Sequence, residues 1–263
     1  MPIICKTPVA NLSREEFLER DDIVMDCAYA SQNKLGRLCD ERVYERDLAD
    51  RLKAAGMRDV LTQVPIVVTH GSFEKEYRLD LVADAAVYEL KTVDQYAGAH
   101  FCQVLNYAMC LDIRFIKLLN FRPSKVDGKL RVSAVNDADR HAARIICESW
   151  MPLSPRCHLL KDHLHALVSD LGGYLEVSLY DEALSVLTES PETRLTVTRD
   201  DLELGTHSLR MLAEHVGFYV SGFTQSIGFQ RSHLQRLFAL LPLKGLHWIN
   251  FNHRDITLMT LLK

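Results

Sequence analysis

Arg78-Leu79-Asp80-Leu81-Val82 and, a few residues on, Val87-Tyr88-Glu89-Leu90-Lys91 are the two stretches that decide how this chain is read. Both are apolar enough to be buried strands, with a turn expected near Asp84. Side chains alternate along a strand, so Glu89 and Lys91 share one face while Leu90 takes the other. A hairpin brings Asp80 beside that face, and two carboxylates and a lysine then converge on one sheet. On a wet surface such a trio would be an ordinary cross-strand ion pair. Here Leu79, Leu81, Val82, Val87 and Leu90 surround it. Charges are seldom buried unless they are paired or bind a metal.

Carboxylates set this way suit a hard cation. Mg²⁺ prefers oxygen ligands and commonly takes one or two carboxylates together with substrate phosphate oxygens. Asp80 and Glu89 are the candidate ligands, and the main-chain carbonyl of Leu90 is a further oxygen. Lys91 is the candidate catalytic lysine, placed to position a nucleophile or offset developing charge. Glu41, on the preceding helix, can lend a third carboxylate, although Asp40-Glu41-Arg42 by itself reads as a solvated helix face. His100 and Gln103 lie on the helix after Lys91, where capping or a polar rim is the plainer reading.

Around this core the sequence predicts a helical stretch over 13–56, opened by the capping-box pattern Ser13-x-x-Glu16 and stopped at Gly56. Strands follow over 60–68, 77–83 and 86–93, with Pro65 pointing to an edge position. A helix is expected over 98–111, strands over 114–121 and 130–135 on either side of an Asp127-Gly128 turn, and a helix over 137–150. Met151-Pro-Leu-Ser-Pro-Arg156 then reads as a linker between a domain over 1–150 and another over 151–263. The class is mixed α/β.

Composition narrows the setting. A net charge of −4 on 263 residues does not suit a general nucleic-acid coating protein, yet it leaves room for a nuclease with a local basic strip. Seven cysteines without a CxxC pair argue against a disulfide framework or a zinc site and suit a reducing cytosol. No apolar run is long enough to span a membrane. There is no Walker loop, GxGxxG or GxSxG. His158, His163 and His165 lack a matching acid or cysteine set, and Cys102 and His100 are too close in sequence to face each other on one helix.

Six segments occur in order: Glu41-Arg-Val-Tyr44-Glu45, Gln63-Val-Pro-Ile66, Tyr77-Arg-Leu-Asp80, Tyr88-Glu89-Leu-Lys91, His100-x-x-Gln103-x-x-Asn-Tyr107 and Leu119-Asn-Phe121. Over about residues 34–135 the chain resembles the GxxExxY proteins, a bacterial branch of the PD-(D/E)XK nuclease-like superfamily. The resemblance implies a restriction-endonuclease-like fold and Mg²⁺-dependent phosphodiester hydrolysis, with Mn²⁺ able to substitute. It implies Glu41, Asp80 and Glu89 as the acidic set, Lys91 as the catalytic lysine and Gln103 as a helix residue near the site. Two positions depart from the pattern. Leu38 stands where the naming glycine should be, the nearest glycine being Gly36, and Leu79 replaces the proline before the aspartate.

The second half repeats the first without its charges. Arg78–Val93 aligns without gaps on Ser208–Phe223, and Asn120-Phe121 on Asn250-Phe251 at the same offset. Gly36, Tyr44, Glu45 and Leu48 align on Gly172, Tyr180, Asp181 and Leu184. The chemical positions change: Glu41 becomes Val177, Asp80 becomes Arg210, Glu89 becomes Tyr219 and Lys91 becomes Ser221. The sequence thus predicts a degenerate tandem copy. His207, Arg210, Arg231, His233, Arg236 and His247 read either as scattered surface charge or as contacts to DNA. Phe218, Phe223, Phe229, Phe238, Trp248 and Phe251 read as core. The expected partner is nucleic acid, DNA first. The rival reading is a silent nuclease-fold scaffold, and a half of a larger assembly would show as an obligate oligomer.

Overall fold

The computed structural model describes residues 2–263. The chain divides into two compact units, Ile3–Val68 with Lys75–Asp137, and Pro2, Thr69–Glu74 and Ala138–Lys263. Among the described residues no helix is long and apolar enough to cross a membrane.

In the first unit the order is β1 (Ile3–Cys5), α1 (Arg14–Leu35), α2 (Glu41–Ala54), β2 (Val60–His70), β3 (Phe73–Ala83), β4 (Ala86–Lys91), α3 (Gly98–Leu111), β5 (Phe115–Asn120) and β6 (Asp127–Val132). The sheet follows the order β1-β2-β3-β4-β5-β6. Pairing is antiparallel for β3/β4 and β5/β6 and parallel for β4/β5, with α3 as the crossover between the parallel strands. Phe17, Val24 and Ala28 of α1 and Tyr44, Leu48 and Leu52 of α2 pack on Leu81, Tyr88, Leu90, Leu119 and Phe121 of the sheet. Strand alternation therefore turns Asp80, Glu89 and Lys91 to the opposite face.

Several boundaries differ from the sequence expectation, each for a local reason. The helical stretch over 13–56 is two helices. The capping box at Ser13 and Glu16 forms as read, but the chain breaks at Gly36, with φ +77° and ψ −157°. That region is open essentially to glycine alone. Asp127 and Gly128 are the first residues of β6 rather than a turn before a strand at 130–135. Pro65 lies in the second strand from the margin, just past the last β1 partner, Ile66, so on that side no ladder bond is lost. Residues 137–150 are not one helix. α4 (Asp137–His141) is a single short turn, and β7 (Arg144–Glu148) follows it. β-branched Ile145 and Ile146 favour extension, and β12 (Asp255–Leu262) supplies a parallel partner from Arg144↔Asp255 to Glu148↔Met259. That partner lies too far along the chain to be visible locally.

The second unit continues with α5 (Pro155–Leu171), α6 (Val177–Leu187), β8 (Glu192–Arg199), β9 (Leu202–Ala213), β10 (Val216–Ser221), α7 (Ile227–Ala239), β11 (Gly245–Asn252) and β12. Its sheet order is β7-β12-β11-β10-β9-β8. From the two leading helices onward, element order and strand order reproduce those of the first unit. Only the added strand moves: β1 borders β2, whereas β7 borders β12.

The repetition reaches individual bonds. Gly172 breaks α5 from α6 at φ +72° and ψ −159°. The Tyr44 hydroxyl donates to the Gly36 carbonyl at 2.6 Å, and that of Tyr180 to Gly172 at 2.7 Å. Tyr44 stacks on Phe121 at 4.4 Å and Tyr180 on Phe251 at 4.1 Å. Asn120 accepts from the Val93 N–H and donates to the Val93 carbonyl, and Asn250 does the same with Phe223. These buried amides clamp the segment leaving β4 or β10. Asn120→Ala is expected to cost about 2–3 kcal/mol, because buried backbone groups are left unpaired. Urea unfolding checks this, and a loss under 0.5 kcal/mol contradicts it.

Candidate active site

The β3/β4 ladder runs from Ala83↔Ala86 to Leu81↔Tyr88. Beyond that point the Leu90 N–H donates to Asp80 Oδ2 at 2.8 Å. A carboxylate thus takes the role of a ladder acceptor. Glu89 is only 2% exposed and Asp80 8%. Lys91 donates from Nζ to Glu89 Oε1 at 2.7 Å and lies 3.9 Å from Asp80 Oδ2. In its charged form Glu89 Oε2 is buried with no hydrogen-bond partner among the described residues; protonated, the Glu89 carboxyl shares its proton with Asp80. One ammonium therefore serves two buried carboxyl groups.

The electrostatics follow. Burial, then the neighbouring Asp80 charge, pushes the Glu89 pKa up to about 8, against the pull of Lys91. Burial also raises Asp80, although the Leu90 N–H and Lys91 draw it back. For Lys91 burial works against the charge, yet Glu89 and Asp80 outweigh it and the ammonium pKa goes up. With no cation bound, the site retains a proton near neutral pH, because two adjacent buried carboxyls do not both ionise readily.

Glu41 opens α2, half-buried, within electrostatic reach of Lys91, Asp80 and Glu45. Burial raises its pKa. The structure adds two residues to which the sequence reading gave no role. Glu45, one turn after Glu41 and 5% exposed, accepts from Gln63 Nε2 at 2.5 Å. The same nitrogen lies 3.4 Å from Asp80 Oδ1. Gln63 holds φ +54° in the middle of β2, a costly backbone for a non-glycine residue, and such strain gathers at functional sites. The spacing of Glu41 and Glu45 on one helix face was a signal available in the sequence; the φ of Gln63 was not.

Gln103 and His100 stand apart. Gln103 donates to Tyr107 Oη at 2.9 Å on its own helix, and no hydrogen bond links it to the carboxylates among the described residues. His100 Nδ1 accepts the Ala97 N–H at 3.0 Å, a helix-start bond.

The equivalent face of the second unit lacks the acid pair. Arg210 pairs with Asp181 at 3.0 Å. Tyr219 packs into an apolar cluster with Trp248. Ser221 donates to Asn250 Oδ1 at 2.7 Å and accepts from Trp248 Nε1 at 2.8 Å. Arg210 and Ser221 there are partnered within the protein, whereas charged Glu89 Oε2 in the first unit has no partner among the described residues.

The first-unit residues suit a divalent cation by three observations: a buried oxygen left unpartnered on charged Glu89 among the described residues, an all-oxygen donor set, and more carboxyl groups than one lysine can balance. Among the described residues no three His, Cys, Asp or Glu side chains already form a cage. The close pair is Asp80 and Glu89.

A mixed sheet flanked by helices carries Asp80 on one strand and Glu89-x-Lys91 on the next, a mixed α/β core consistent with the PD-(D/E)XK fold. Residues 19–132 match the family model described as the PD-(D/E)XK nuclease superfamily. No curated protein and no solved structure matches.

Proposed function

We propose that this chain is a divalent-cation-dependent nuclease of the GxxExxY type that hydrolyses phosphodiester bonds of nucleic acid, DNA first. Its working site lies within 1–150, and a degenerate copy without a site lies within 151–263. The observation that carries the reading is the burial of Asp80 and Glu89 against a single lysine, which leaves one carboxylate oxygen unpartnered among the described residues when both acids are charged. A purely structural ion pair would have no reason to keep the second acid.

Asp80, Glu89 and the Leu90 carbonyl would hold Mg²⁺ or Mn²⁺, with Glu41 assisting from α2. When bound, the cation supplies positive charge to the phosphate and acidifies a coordinated water. Lys91, freed from neutralising Glu89, orients the attacking water and offsets charge on the phosphate oxygens. Gln63 keeps Glu45 and Asp80 at a fixed separation. Gln103, tied to Tyr107, contributes at the rim. Seven free thiols suit a reducing, cytosolic setting.

The test pairs cleavage with calorimetry. Wild type is expected to cut single- or double-stranded DNA or RNA with Mg²⁺ or Mn²⁺, to stop in EDTA, and to bind Mn²⁺ with a heat lost in Asp80→Ala. Equal background cleavage in both proteins, together with no Mn²⁺ heat in wild type, would leave the silent scaffold as the answer.

A further inference from the structure

The second unit carries a surface that its altered site does not explain. α7 reads Ile-Gly-Phe-Gln-Arg-Ser-His-Leu-Gln-Arg-Leu-Phe-Ala and contains no acid. The acid-free run extends from His215 to Arg254, in a chain that has 35 Asp and Glu and a net charge of −4. Leu234 and Phe238 turn inward to the cluster with Trp248. Phe229, Ser232, His233 and Arg236 fall at i, i+3, i+4 and i+7, one helix face, and all four are exposed.

Phe229 contradicts its reading as core: it is 63% exposed. Its place in the helix opposes Leu234 and Phe238, and the sequence could not tell the two faces apart because both carry aromatics. The His233 ring meets it edge-on at 4.3 Å and 71°. Arg236 has no ionic partner among the described residues. On the flank, Arg231 lies 4.0 Å from Glu148 and borders a cleft of about 580 Å³ with Trp150 and Gln235. A lone exposed apolar residue needs no explanation. A large aromatic steadied by imidazole, beside an unpaired guanidinium on an acid-free helix, has the chemistry of a base platform with phosphate contacts.

We propose that the exposed face of α7 binds single-stranded nucleic acid, stacking a base on Phe229 with Arg236 and His233 at the flanking phosphates. A duplex keeps its base faces stacked inside and has none to offer Phe229, and so few cations would grip a duplex poorly. The choice of a polynucleotide rests on the nuclease reading, to which this face adds a second hold on substrate.

The test uses the full chain in EDTA, with a fluorescein-labelled oligothymidylate followed by anisotropy across a salt series. Phe229→Ala is expected to weaken Kd about tenfold or more, while Phe229→Trp keeps affinity and its fluorescence quenches on binding. Arg236→Ala is expected to reduce the salt slope by about 0.7. Unchanged melting temperatures show that these exposed substitutions leave the fold intact. Unchanged Kd in both alanine variants overturns the proposal. So does a Phe229→Ala effect confined to self-association in sedimentation, which would assign the face to a second copy. Cleavage with Mn²⁺ is read separately: binding through α7 without cleavage sinks only the nuclease reading, and cleavage with indifferent α7 variants sinks only this one.

Discussion

Lys91→Met is expected to lower kcat for phosphodiester cleavage by about 10²–10³, the usual loss for one preorganised group that meets transition-state charge. Mn²⁺ binding should survive, because Asp80, Glu89 and the Leu90 carbonyl remain. Asp80→Asn should lose both. That split separates a residue acting on the reacting phosphate from one that holds the cation. The structural cost depends on pH. Lys91 Nζ is the ammonium bonded to Glu89 Oε1 at 2.7 Å. Without it, Glu89 and Asp80 keep their protons to higher pH, which spares the fold at low pH. Above pH 8 the acids must ionise without a partner, and the loss approaches the roughly 3–5 kcal/mol of a broken buried pair. Steady-state kinetics, Mn²⁺ calorimetry and urea midpoints at pH 6 and 9 measure the three effects. A kcat within twofold of wild type would remove Lys91 from the chemistry.

The metal-free protein should lose stability as pH rises, and Glu89 should account for much of the loss. Burial and the Asp80 charge hold its folded pKa at about 8, above the ordinary 4.5. Between those values the folded chain keeps a proton that the unfolded chain has released. Its stabilising contribution is therefore whole below 4.5 and disappears as pH climbs through 8. The slope reaches up to about 1.4 kcal/mol per pH unit for one proton. Urea unfolding in EDTA from pH 5 to 9 should show the fall in wild type and a flatter line in Glu89→Gln. Added Mn²⁺ should recover stability at high pH and, at neutral pH, release a proton, visible as a buffer-dependent heat. Parallel wild-type and Glu89→Gln curves would refute the assignment.

Much of the fold was legible because its causes are local. The alternation around Asp80, Glu89 and Lys91 put the three on one face, and their separation from Tyr88 and Leu90 is what the sheet shows. The 98–111 helix was read to its ends. The Asn-Phe pair and the glycines repeated at fixed offsets mark the same clamps and helix breaks in both units.

Other features were settled by partners distant in sequence. Residues 144–148 became a strand because β12 offered a parallel edge. Phe229 faced out because Leu234 and Phe238 already filled the inward side of α7. Gln63 bridges Glu45 and Asp80 through a left-handed backbone that nothing in Gln-Val-Pro announces. By itself the sequence determined which residues alternate, which breaks need glycine and which acids lie among apolar neighbours, since each depends on steric and solvation preferences within a few residues. Only the tertiary structure decided which carboxyls share one lysine, how far burial lifts their pKa values and which aromatic is left in water, because those depend on what packs against each group from elsewhere in the chain.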